Sequence, residues 1–97
     1  MTLEAKIEEA LRGVIDPGAH LDIMRMKLVR DLRISQDGKV CLTFRPSSPV
    51  CPMAFELAHN IQTAVQRTEG VKNVEVKVAG YNRADELMQV LAQVRNQ

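Results

Sequence analysis

The sequence predicts an α/β (α+β) two-layer sandwich in the order α-β-β-α-β-α, a small three-stranded mixed sheet with helices on one face. Three observations lead there. Apolar residues recur at the 3.6-residue helical period in three separate segments. Three shorter segments alternate apolar and polar residues, so each strand has one face for a core and one for water. Asp37-Gly38 stands between two of those segments, a strong hairpin signal.

Each element has its own local reason. Thr2 is an N-cap, with Glu4 in the first turn, and Leu3, Ile7, Ala10, Leu11 and Val14 form one helical face. Asp16-Pro17-Gly18 ends that helix, because the residue before proline avoids helical geometry. In the first strand, Leu28, Leu32 and Ile34 share one face, and Val29, Asp31 and Arg33 share the other. After the Gln36–Lys39 turn, Val40, Leu42 and Phe44 point one way, and Cys41, Thr43 and Arg45 the other. Two prolines make residues 45–50 a loop. The second helix starts at Pro52, a residue suited to the first helical position, with the stripe Ala54, Leu57, Ala58, Ile61, Ala64 and Val65, and Gly70 closes it. Val74, Val76 and Val78 alternate with Glu75 and Lys77 as the third strand. Asn82 caps the third helix, Asp85 stands at N3, and Leu87, Met88, Leu91 and Val94 form its stripe.

With 97 residues the chain suits one domain, 1–97, whose last part is an amphipathic helix over about 82–95. Aromatic residues make up only 3%, so the core is aliphatic. Thirteen Lys and Arg against 12 Asp and Glu leave a formal charge of +1. That balance, with so few stacking rings, argues against a nucleic-acid partner. Apolar runs fall far short of a membrane span of about 20 residues. The acidic, helical start MTLEAKIEEA is unlike a secretory or transit peptide, and a cytoplasmic location is expected.

Two cysteines, Cys41 and Cys51, are expected as free thiols. Two thiols alone do not make a closed four-ligand zinc or iron–sulfur site. The segment Ser47-Ser48-Pro49-Val50-Cys51-Pro52 puts Cys51 at the N-cap of the second helix. A thiolate there meets the positive end of the helix dipole, which lowers a cysteine pKa, and Ser47 or Ser48 can donate to the sulfur. The plainer reading, a small residue filling a cap, carries equal weight.

Four segments carry a family resemblance. They are Ile15-Asp16-Pro17, Leu28-Val29, Ser47-Ser48-Pro49-Val50-Cys51-Pro52, and Glu69-Gly70-Val71-Lys72-Asn73-Val74-Glu75-Val76. In order and spacing they resemble the small iron–sulfur cluster assembly family that includes SufT-like proteins and the PaaD-like subunit of phenylacetate ring oxidation. The resemblance spans about residues 3–79. It departs from the family's pattern at Arg25-Met26-Lys27, where a basic residue replaces an acid and lysine replaces glycine, and in the tail. It implies an α/β sandwich, a role in making or delivering iron–sulfur clusters, and a family cysteine at Cys51 with its acidic turn residue at Asp16. Cys51, Asp16, Ser47 and Ser48 are then the expected contacts, with Cys51 a transient ligand of iron or of a cluster that is not stably held.

Other residues have weaker claims. Asp16 before proline is more often a turn device, and His20 in a loop more often solvated. His59 has no His, Cys or acidic residue four positions on, and Cys41 reads as a passive thiol. There is no Ser–His–Asp order with recognisable surroundings, phosphate-cradling glycine loop, zinc-hydrolase spacing or Cys-x-x-Cys, so the chain is not expected to be an enzyme. The favoured function is an accessory or carrier protein in iron–sulfur maturation. Its partners would be assembly proteins or client apo-proteins, and one Cys51 per chain leaves further ligands to a homodimer partner, another protein or a small thiol. The alternatives are a non-catalytic interaction subunit of a larger oxygenase-type complex and, more weakly, a thiol redox sensor. Phe55 lies off the stripe of its helix, and either Leu87, Met88 and Leu91 or a second chain is expected to cover it.

Overall fold

The structure is a computed structural model, and it describes residues 2–17 and 20–95, without the side chains of Val94 and Arg95. Its elements are α1 (Leu3–Arg12), β1 (Ile15–Asp16), β2 (Leu21–Asp22), β3 (Val29–Ile34), β4 (Lys39–Phe44), α2 (Ala54–Gln66), β5 (Asn73–Val78) and α3 (Ala84–Arg95). β3, β4 and β5 lie side by side in that order. β4 runs antiparallel to β3 across the tight hairpin and parallel to β5 across the α2 crossover, so the sheet is mixed as expected.

Thr2 caps α1 through its hydroxyl oxygen, which accepts the Ala5 N–H at 3.2 Å. The helix ends at Gly13, earlier than the Asp-Pro signal indicates. Ile15–Asp16 then pairs antiparallel with Leu21–Asp22 in a two-stranded ribbon. The Asp16-Pro17 turn therefore joins two short strands and does not end a helix, while Gly18 lies outside the described residues. Val14, though buried, follows α1 instead of belonging to it.

The faces of β3 differ from strict alternation. Val29 pairs with Phe44, and Ile34 pairs with Val40, so both join the core side despite being five residues apart. The register shifts between Arg30 and Arg33, where Asp31 has φ +54°. Such a bulge puts an extra residue in one strand and resets which way the following side chains point. Aspartate is among the few residues that visit this left-handed backbone routinely.

The remaining strands follow their pattern: Val40, Leu42, Phe44, Val74, Val76 and Val78 are buried. Ile7 and Leu11 of α1, and Ala54, Leu57, Ala58, Ile61 and Val65 of α2, complete that core with Leu87 and Leu91 of α3. The side chain of Val94 lies outside the described residues. Gln62, also buried, donates from Nε2 to the Leu91 carbonyl at 3.2 Å, tying α2 to α3 and satisfying a polar group the apolar layer would otherwise strand.

Candidate functional site

The segment between β4 and α2 is built from two consecutive turns. The Cys51 N–H donates to the Ser48 carbonyl at 3.2 Å, and the Ala54 N–H to the Cys51 carbonyl at 3.4 Å. The Ser48 hydroxyl oxygen accepts the Val50 N–H at 3.3 Å. Pro52 and Met53 lie in the second turn, and Met53 is the N-cap of α2. Cys51 therefore stands two residues ahead of the cap, a correction to the N-cap placement. The unpaired N–H groups of the helix begin beyond it, at the residues that follow Met53.

From outside the loop, the Asn82 N–H donates to the Pro49 carbonyl at 2.9 Å. The Asn82 backbone is thus tied to the loop, and α3 begins at Ala84, one residue later than a cap at Asn82 implies. The Arg83 carbonyl accepts the first helical bond, from the Leu87 N–H at 3.0 Å. Cys51 is only 7% exposed and belongs to the core cluster, while neighbouring Val50 is 67% exposed. The loop thus presents an exposed Pro49-Val50 tip beside a thiol shielded from solvent.

Ser47 and Ser48 lie in the Cys51 loop, Ser47 exposed and Ser48 half-buried. Asp16 is on β1, and its carboxyl-bearing residue is 7% exposed. The backbone carbonyl of Asp16 accepts the N–H of His20, whose φ is +57°. Among the described residues no three His, Cys, Asp or Glu side chains come together as a metal site. Asp16, His20 and Cys51 do not form such a centre. His59 is exposed on α2.

Cys41 is half-exposed on the open face of the sheet, and its thiol meets Glu75 Oε2 at 3.7 Å. Asp31, Arg33, Thr43 and Lys77 surround it in a shallow depression. Phe55, by contrast, has a cover that sequence reasoning missed. Tyr81 meets it edge-on, and the Arg83 guanidinium lies 4.6 Å from its ring centroid. Glu86 holds Arg83 in place through two hydrogen bonds at 2.8 and 2.9 Å. The only sequence signal was the off-stripe position of Phe55. Its ring and cation partners, Tyr81 and Arg83, come from the segment leading into α3, and Phe55 also packs against the core cluster that includes Leu87 and Leu91.

An α+β sandwich with a buried cysteine at the loop–helix junction defines the class. A domain of unknown function from Bacillus anthracis has the same fold: its crystal structure superposes with a TM-score of 0.74 at 24% identity, covering 96% of this chain and 93% of that one. The chain belongs to the iron–sulfur cluster assembly protein family, whose model matches residues 4–78. It is 32% identical over 91 residues to an uncharacterized Methanocaldococcus jannaschii protein, covering 94% of this chain and 96% of that protein. It is also 32% identical over 76 residues to the Fe–S protein maturation auxiliary factor YitW of Bacillus subtilis, covering 78% of this chain and 74% of that factor. No helix among the described residues is long and apolar enough to cross a membrane.

Proposed function

We propose that the chain is a non-enzymatic accessory or carrier protein in the maturation of iron–sulfur proteins, with Cys51 as the group that takes up iron or a cluster in transit. The family match carries this reading, because residues 4–78 include the whole Cys51 loop. The maturation role of the Bacillus subtilis relative supports it. The cargo is transient: Cys51 is shielded at rest, so ligation requires the Pro49-Val50 tip to move aside, and closure then favours release. Ser48 shapes the turn that presents the thiol, and Ser47 flanks it. Asp16 is assigned the acidic contact, as a proton acceptor or oxygen ligand. One thiol does not complete a cluster's coordination, so the other ligands come from a second copy of the chain, an assembly protein, a client apo-protein or a small thiol. Such exchange takes place in the reducing cytoplasm.

Anaerobic reconstitution with iron and sulfide, alone and with cluster-assembly proteins, tests the reading by visible absorption and iron content. Wild type and Cys41→Ala are expected to take up cargo. Cys51→Ala is expected to lose it while keeping its circular dichroism. Wild-type protein that takes up nothing in either setting would replace the carrier reading with that of an interaction subunit.

A further inference from the structure

A cleft of about 440 Å³ opens where the turn after β2 meets the segment leaving β4. Lys27, Arg30, Arg45 and Ser47 line it, with Met26 and Pro46. We propose that this cleft binds a multiply charged small anion bearing phosphate or carboxylate groups.

The charge pattern is the first argument. The cleft has three cations and no carboxylate in its lining. The three other clefts described each include an acid: Asp31 beside Arg33, Asp22 beside Arg12, and Glu75 beside Lys77. The two ion pairs among the described residues, Arg25–Asp22 and Arg83–Glu86, leave Lys27, Arg30 and Arg45 out. Like charges gathered in one concavity repel, and a bound anion turns that repulsion into attraction.

The backbone is the second. The Arg45 N–H donates to the Leu28 carbonyl at 2.7 Å, extending the β3–β4 ladder by one pair, while Arg30 pairs with Thr43. Arg30 and Arg45 are therefore diagonal neighbours on one face, roughly 7–8 Å apart. This is a backbone spacing from which both long side chains can reach one ligand, and guanidinium forks match phosphate and carboxylate oxygens. The Arg45 side chain runs close to Gly80, where an added Cβ would come within 2.9 Å of its Nε.

Lys27 is the third. Its φ is +59°, the left-handed backbone that favours glycine. The turn closed by the Leu28 N–H on the Ile23 carbonyl at 3.1 Å sets that backbone, and in this chain a cation stands there and lines the cleft. Ser47 adds a neutral hydroxyl donor and joins the cleft to the Cys51 loop.

The test titrates inorganic pyrophosphate and, separately, citrate into the isotope-labelled full chain at physiological salt, read by amide chemical shifts. Saturable shifts at residues 27, 30, 45 and 47 are expected. Binding should weaken roughly three- to tenfold in Arg45→Gln and in Lys27→Gly. Lys27→Gly should melt no lower than wild type, because it relieves backbone strain, so its lost binding cannot come from lost fold. Tighter pyrophosphate assigns a phosphate ligand and tighter citrate a carboxylate one. Shifts that never saturate with either probe, or unchanged affinity in Lys27→Gly, overturn the proposal. Neither readout involves iron, so it stands or falls apart from the Cys51 reading.

Discussion

The ring of Tyr81 meets the ring of Phe55 edge-on, with 6.2 Å between centroids and 73° between planes. This pins the lead-in of α3 to the first turn of α2. Phe55 is half-buried, so Phe55→Ala should cost about 1–2 kcal/mol, below the 3–5 kcal/mol of a fully buried phenylalanine. A double-mutant cycle with Tyr81→Ala in urea should give a coupling of about 0.5–1.5 kcal/mol. A coupling near zero would mean that the rings merely lie close. The same loss should appear whatever the protein concentration, since the ring's cover comes from its own chain.

The two thiols should differ in access. Cys41 is half-exposed and Cys51 is buried. A bulky thiol reagent on native protein should therefore label Cys41 first, with Cys51 reacting only as the loop opens. Urea below the unfolding midpoint should accelerate Cys51 more than Cys41. Peptide mapping after timed labelling checks this, and equal rates in native buffer would show that the loop opens freely. Pro49→Gly should bring the Cys51 rate closer to that of Cys41, because the freed turn closes less firmly.

Both thiols were legible as residues, but their surroundings were not. The three helices and the hairpin announce themselves through apolar period and Asp37-Gly38. The β1–β2 ribbon does not, since two-residue strands have no period to read. The bulge at Asp31 escapes because strict alternation assumes one residue opposite one. Proline at position 52 mimics a helix start, yet the backbone from Ser48 to Ala54 is spent on turns. The burial of Cys51 depends on tertiary support, including the bond from Asn82 to Pro49, 33 residues away in sequence and invisible to any local pattern. At position 27 the resemblance puts glycine, and the left-handed φ of Lys27 supplies the physical reason.

Gly38 should be intolerant of a side chain. It has φ +89°, and an added Cβ would lie 2.9 Å from the Gly70 carbonyl oxygen and 3.1 Å from Lys72 Cγ. Its own carbonyl accepts the Lys72 N–H at 2.9 Å, so the β3–β4 turn is docked on the segment entering β5. Retreat of the turn would break that bond. Gly38→Ala should cost about 2–3 kcal/mol, combining left-handed strain with overpacking. Chemical denaturation measures it, and a loss under about 0.5 kcal/mol, the size of an ordinary surface change, would show that the two turns move apart freely.

The same hairpin sets an acid limb. The Ser35 hydroxyl donates to the Asp37 carboxylate, and with the Lys39 N–H at 3.4 Å it holds Asp37 below its ordinary value of 3.8. The hydrogen bonds from Arg83 likewise hold Glu86 below 4.5. A carboxylate with a lowered folded pKa contributes stability that is present above its unfolded pKa and lost as pH falls through the folded one. The window thus opens near pH 4.5 for Glu86 and near 3.8 for Asp37 and extends downward, leaving neutral pH untouched. Both side chains are solvent-exposed, so each contribution is screened and small. Ser35→Ala should raise the Asp37 pKa towards 3.8 while leaving Glu86 in place, and Arg83→Gln should do the reverse. Carboxyl carbon shifts followed against pH separate the two groups. If Ser35→Ala moved neither, the hydroxyl would not be holding the Asp37 charge, and the hairpin's acid sensitivity would have to reside in the Lys39 N–H and the nearby Lys72 ammonium, which also favour the ionised form.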